Sequence, residues 1–151
     1  MITAEQVKAL RDRTGVSLGE CKKALETAAG DETRALESLR AAGVALQEKK
    51  ANRALGAGLI SVYLHSDGRL GALAELVCET DFVAKNPAFK QLADDLAMQV
   101  AAFAPADSTA LLAQPFIRDQ SRTVADLLRE SVQKFGERIE LTRFSRLAVG
   151  D

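Results

Sequence analysis

The sequence predicts an α+β protein: an N-terminal three-helix bundle followed by a small antiparallel sheet covered by helices. Three observations carry that reading. Residues 3–43 repeat helix-capping residues ahead of short apolar stripes at helical spacing. Residues 58–78 read as two strand-like runs joined by a turn. Residues 139–149 alternate apolar and polar after a stretch with helical periodicity. The division expected is a helical domain over 1–43, a linker over 44–57 and an α+β domain over 58–151.

The bundle comes first. Thr3 with Gln6, and Ser17 with Glu20, have capping-box spacing, in which each side chain satisfies the other's backbone N–H. Val7 and Leu10 form the apolar side of the first helix, and Thr14-Gly15 breaks it. Leu18, Cys21, Ala24, Leu25 and Ala28 fall on one side of the second, which Gly30 stops. Asp31 caps a third helix bearing Ala35, Leu36 and Leu39, expected to end near Gly43. Helices this short are held by packing more than by propensity. The following run, Gln47 to Arg53, is polar and basic. It reads as a helical or extended linker, with a basic contact to a partner as the functional alternative.

In the second part, Leu59–His65 is rich in β-branched and aromatic residues, Ser66-Asp67-Gly68 makes the turn, and Leu70–Cys78 returns. The returning arm is almost continuously apolar, as expected of a strand covered by a helix. Asn86 and Pro87 start a helix as cap and first-turn residue. Phe89, Leu92, Ala93, Leu96, Val100 and Phe103 give it one apolar face. Residues 104–122 read as irregular, with Leu111, Leu112, Phe116 and Ile117 as satellite core contacts. A last helix from Thr123 puts Val124, Leu127, Leu128, Val132 and Phe135 inward and stops at Gly136.

Composition narrows the function. Twenty basic and 21 acidic side chains leave a net charge of −1. A nucleic-acid binder needs excess positive charge and stacking surfaces; one Tyr and no Trp supply few. Cys21 and Cys78 stand in apolar contexts and read as buried thiols of a reducing compartment. No secretory leader and no run long enough to span a membrane is visible, so a soluble cytoplasmic protein is expected. There is no phosphate-binding glycine loop, dinucleotide fingerprint or zinc spacing, and no cofactor or metal is expected. The lone His65 sits near the hairpin turn with no nucleophile paired to it, so a solvated tip is favoured over a catalytic base. Asp94 and Asp95 are adjacent on a helix and splay apart.

What remains is a corner. The strand ends at Cys78 and the next helix starts at Asn86, and Thr80-Asp81-Phe82-Val83 lies between them. An aromatic there either folds back into its own core or is presented to a partner, since corners on rigid scaffolds are where binding residues sit.

Two stretches resemble the family of translation elongation factor Ts. One is Leu10 to Leu25, Leu-Arg-Asp-Arg-Thr-Gly-Val-Ser-Leu-Gly-Glu-Cys-Lys-Lys-Ala-Leu, similar to the family's N-terminal signature. The other is Glu79-Thr80-Asp81-Phe82-Val83-Ala84-Lys85. Gln114-Pro115-Phe116 and Gly136-Glu137-Arg138-Ile139 extend the likeness over most of the chain, nearest the short bacterial form, with a single core subdomain. The resemblance implies a ubiquitin-associated-type helical domain that docks on the GTPase elongation factor Tu through Leu18, Gly19 and Lys22. It implies a Thr80-Asp81-Phe82-Val83 corner inserted between two helices of that GTPase, near its magnesium and phosphate site, so that GDP leaves. It also implies guanine nucleotide exchange without enzymatic chemistry, and a homodimer, for which Leu59–Leu64 or Ile139–Val149 could pair at an edge. Three departures stand out: Val77 where the second signature usually has Asn, removing a hydrogen bond expected to support the turn; Gly19 in place of a bulkier residue; and a short connection from Pro105 to Gln114. The competing readings are a protein-binding module of another kind, with a ubiquitin-associated-like domain, a small enzyme with a pocket between sheet and helices, and an RNA-binding accessory domain.

Overall fold

The structure, a computed structural model, describes residues 1–151. Its elements are α1 (Ala4–Thr14), α2 (Leu18–Thr27), α3 (Glu32–Lys50), β1 (Ala57–Leu64), β2 (Leu70–Cys78), α4 (Asp81–Ala84), α5 (Pro87–Phe103), α6 (Ser108–Ala113), β3 (Pro115–Phe116), β4 (Asp119–Thr123), α7 (Val124–Phe135) and β5 (Glu140–Ala148). The α+β class is as predicted. Two compact units divide the chain, Met1–Asn52 with Leu128–Gly136, and Arg53–Leu127 with Glu137–Asp151.

In the first unit the capping signals act as read except at Glu20, whose carboxylate accepts from Ser17 Oγ at 2.8 Å and leaves the reciprocal half of that box unformed. Thr3 and Gln6 form a complete capping box, and Ser17 and Asp31 cap α2 and α3. Gly15 closes α1 with φ +70°, a left-handed position that costs glycine little. Leu10, Val16, Cys21, Leu25, Ala35 and Leu39 are the centre of the core, with Ile2, Val7 and Leu36 packed against it. The expected stop at Gly43 is not there: α3 runs on to Lys50, so the expected linker begins inside a helix. Gly43 serves close approach instead. A Cβ at that position would meet the Gln133 side chain at 2.7 Å, and Gln133 Nε2 donates to Leu39 O at 3.0 Å. A glycine within a helix costs about 1 kcal/mol, which this contact offsets.

In the second unit β1, β2 and β5 form an antiparallel sheet with β2 central. Alternation decides its two faces. Ala72, Ala74, Leu76 and Cys78 point to the side covered by α5, where Phe89, Leu92, Ala93, Leu96 and Val100 are buried. Gly58 must be glycine: its φ is +152°, and a Cβ would stand 2.3 Å from Leu76 O. Ser61, buried on the covered face, donates to Asp94 Oδ1 at 2.5 Å, and Lys90 reaches the same carboxylate at 2.9 Å. Asp95 turns instead to Arg118, at 2.7 Å. The adjacent carboxylates do splay apart, but each has its own partner.

Burial acts to raise the Asp94 pKa, yet the Ser61 and Lys90 contacts outweigh it and hold the group below the usual carboxylate value. A depressed folded pKa contributes stability that is present above the unfolded value and lost as pH falls through the folded one. Wild type will therefore lose more stability than Asp94→Asn between pH 7 and pH values below about 4, as measured by urea midpoints at both ends.

The stretch 104–122 is more ordered than expected. It holds the short α6 and the β3–β4 hairpin. Leu111 and Phe116 are buried as read, whereas Leu112 is exposed. A fully buried side chain on α5, Gln99, organises the segment. Its Nε2 donates to Pro115 O and Gln114 Oε1, each at 3.1 Å, and its Oε1 accepts from Ile117 N at 2.8 Å. Gln99→Leu will strand a buried N–H and C=O and lower stability by about 1–3 kcal/mol, read from urea unfolding.

Candidate functional site

The corner is built from the end of β2. The β2–β5 ladder finishes at the pair Val77↔Glu140 and the β1–β2 ladder at Ala57↔Cys78, which leaves Glu79 and Thr80 beyond both. Side chains take over. Glu137 Oε1 accepts from Glu79 N at 3.1 Å and from Thr80 N at 3.0 Å, and its Oε2 accepts from Thr80 Oγ1 at 2.6 Å. In return, Glu79 Oε2 accepts from Arg138 N at 2.8 Å. Arg138 donates to Arg53 O at 2.6 Å, and Arg53 approaches Glu79 at 3.5 Å. The buried Cys78 thiol donates to Thr80 O at 3.2 Å. Burial, and then the Glu137 charge, push that thiol up from its ordinary value, which keeps it a protonated donor.

On this base stands α4, a single turn. Thr80 caps it, with Oγ1 accepting from Val83 N at 3.4 Å. Val83 is buried and anchors the turn, while Asp81 and Phe82 face out. Phe82 is 86% exposed. The alternative in which its ring folds back into the core is thus not what the fold adopts. Asn86 Oδ1 then accepts from Ala88 N at 2.9 Å and α5 begins at Pro87.

Val77 stands on the sheet face away from α5, opposite Gly58. The turn that follows Val77 is held by the hydrogen bonds of Glu137, a residue that sequence reading quoted but gave no role.

The first unit brings together the other three candidates. Leu18, Gly19 and Lys22 line one open groove of about 670 Å³ with Ile2, Val7 and Arg11 of the α1 side. Leu18 is half exposed, and the space above Gly19 is open. Lys22 pairs loosely with Glu26 at 3.8 Å, an exposed contact worth little.

A further surface was not foreseen as such. On the open face of the sheet, Ile60, Val62 and Leu64 of β1, Leu73 of β2 and Leu147 of β5 are all exposed, Leu147 at 82%. A shallow groove of about 590 Å³ runs over several of them. Glu75 and Arg143 pair at 3.0 Å beside Ile60 and Leu73 on the same face, with Thr142 donating to Glu75 as well. Those hydrogen bonds, Arg143 first, hold the Glu75 carboxyl below its usual range. His65 contacts Tyr63 Oη at 3.0 Å at the hairpin end. No group of His, Cys, Asp and Glu is arranged to hold a metal ion, and no helix is long and apolar enough to cross a membrane.

The family profile described as Elongation factor TS matches residues 79–151, which begin at the corner. The chain is 39% identical to elongation factor Ts of Thermodesulfovibrio yellowstonii, over 99% of this chain and 96% of that one. The chain belongs to the elongation factor Ts family. Elongation factor Ts of Moorella thermoacetica is 39% identical across the whole of this chain and 97% of its own. That of Clostridium kluyveri is 42% identical over 149 residues, 49% of its length. The first two alignments run over 193 and 196 positions, longer than the 151 residues here, so both relatives carry residues with no counterpart in this member. Membership assigns the chain to translation elongation.

Proposed function

We propose that this member of the family is a guanine nucleotide exchange factor for elongation factor Tu, acting by binding and not by enzymatic chemistry. The observation that carries the reading is the Phe82 ring, held out at 86% exposure on a turn pinned from beneath. An exchange factor must bind the nucleotide-free GTPase better than the loaded one, and by reciprocity nucleotide then weakens the factor. An aromatic wedge beside a carboxylate suits that task. The ring competes for packing space between two helices of the GTPase, and the Asp81 charge perturbs a site built around a magnesium ion. Thr80 and Val83 hold the turn that presents them.

The groove bearing Leu18, Gly19 and Lys22 is the second contact, on a three-helix module of ubiquitin-associated type that docks on the nucleotide-binding domain of the same GTPase. Gly19 trims that contact, since no side chain fills the space above it. A homodimer completes the reading. An exposed apolar patch of this kind marks an interaction surface, and its position on the open face favours face-to-face association of two sheets over edge pairing of β1 or β5. A module that only binds protein is the second reading; the same exposed surfaces would serve it.

The test is affinity as a function of nucleotide. Immobilised protein will bind nucleotide-free elongation factor Tu at least tenfold more tightly than the GDP complex, a coupling of about 1.4 kcal/mol. Equal affinity for the two forms would leave the binding module and remove the exchange factor.

A further inference from the structure

We propose that Glu137 is the positioning residue of the corner: it sets the presentation of Asp81 and Phe82 without touching the partner. This rests on the exchange-factor reading above. The ground is geometric. Beyond Val77↔Glu140 on one side and Ala57↔Cys78 on the other, the sheet has no ladder left to fix the path of Glu79 and Thr80. One carboxylate, 57 residues further along the chain, takes the two free N–H groups and the Thr80 hydroxyl together. Hydrogen bonds to a charged acceptor are about twice as strong as neutral ones. Three that converge on consecutive groups define both where the chain leaves the sheet and how α4 is tilted.

The same Thr80 oxygen caps α4 through Val83 N, so carboxylate, cap and turn form one chain of hydrogen bonds ending one residue past Phe82. Val83 is buried, so the turn can pivot only about that anchor and the Thr80 cap. Without Glu137, the anchor would remain and the cap's hydroxyl would be free to rotate. The ring would then sample a cone in place of one direction. A wedge that must enter a gap between helices loses effectiveness when it is not preorganised.

The first arm of the test uses the protein alone. In Glu137→Ala, amide hydrogen exchange at Glu79 and Thr80 will accelerate at least tenfold, while the amides of Leu73–Leu76 keep their protection. The second arm measures release of a fluorescent GDP analogue from elongation factor Tu at saturating factor. Glu137→Ala will lower the maximal rate by about tenfold, equivalent to about 1.4 kcal/mol of barrier. Glu137→Gln, which keeps an acceptor for both N–H groups, will restore most of it. In a Phe82→Ala background Glu137→Ala will cost clearly less than in wild type, because most of its effect travels through the ring. Should Glu137→Ala not fold, Glu137→Asp stands in, keeping the charge one methylene short. Unchanged protection at Glu79 and Thr80, or a loss that adds in full to that of Phe82→Ala, overturns the proposal. A wild-type protein that fails to accelerate release at all removes the exchange reading and with it the use of Glu137 in exchange. The amide arm still decides whether Glu137 holds the corner.

Discussion

Replacing Phe82 by alanine will lower the maximal rate of factor-stimulated GDP release by about 10- to 100-fold and leave the protein's own stability nearly untouched. The two halves of this expectation come from one fact, the ring's 86% exposure. A side chain that buries almost nothing at home contributes almost nothing to folding, and surface substitutions away from caps and cores stay within about 0.5 kcal/mol. Burying the ring on a partner is worth about 1.5–3 kcal/mol, which as a barrier difference gives the stated range. The melting temperature and the stimulated release rate of the variant check both. A clear drop in melting temperature would mean that the ring supports the fold.

The second large effect is expected on the open sheet face. In the proposed homodimer, Val62→Glu together with Leu147→Glu will turn the assembly into a monomer, raising the dissociation constant by at least about 100-fold. In a two-fold arrangement each substitution is met twice, and each buried aliphatic side chain carries about 1.5–3 kcal/mol. Neither residue touches the α5-covered core, so circular dichroism will be unchanged. Sedimentation velocity over a concentration series reads the result. A wild-type chain that sediments as a monomer throughout would show that this face is not an interface between copies.

Much of this architecture is written in short-range chemistry. The capping box at Thr3, the Ser17 cap, the Ser66–Gly68 turn and the Asn86-Pro87 start each need only neighbours a few residues away, and each holds in the structure. The place of Phe82 between two elements left both back-folding and presentation open, and only the packing of the whole unit decides for presentation. The features that local pattern did not reveal depend on distant partners. Gly43 looks like a stop because glycine usually is one; it stays helical because Gln133, 94 residues away from the Leu39 carbonyl that it binds, packs there. The segment 104–122 looks irregular because its order comes from Gln99 on another helix. Glu137 shows the same limit at the site itself. A glutamate after a helix-ending glycine reads as a solvated charge, and nothing near it in the chain says that its oxygens close the end of β2.

The proposed release of GDP from elongation factor Tu is read most directly by stopped-flow fluorescence of a GDP analogue at rising concentrations of the protein. Exchange activity gives a rate that climbs with concentration and saturates well above the spontaneous rate. A spontaneous rate unchanged up to concentrations at which the folded protein is in large excess would contradict it.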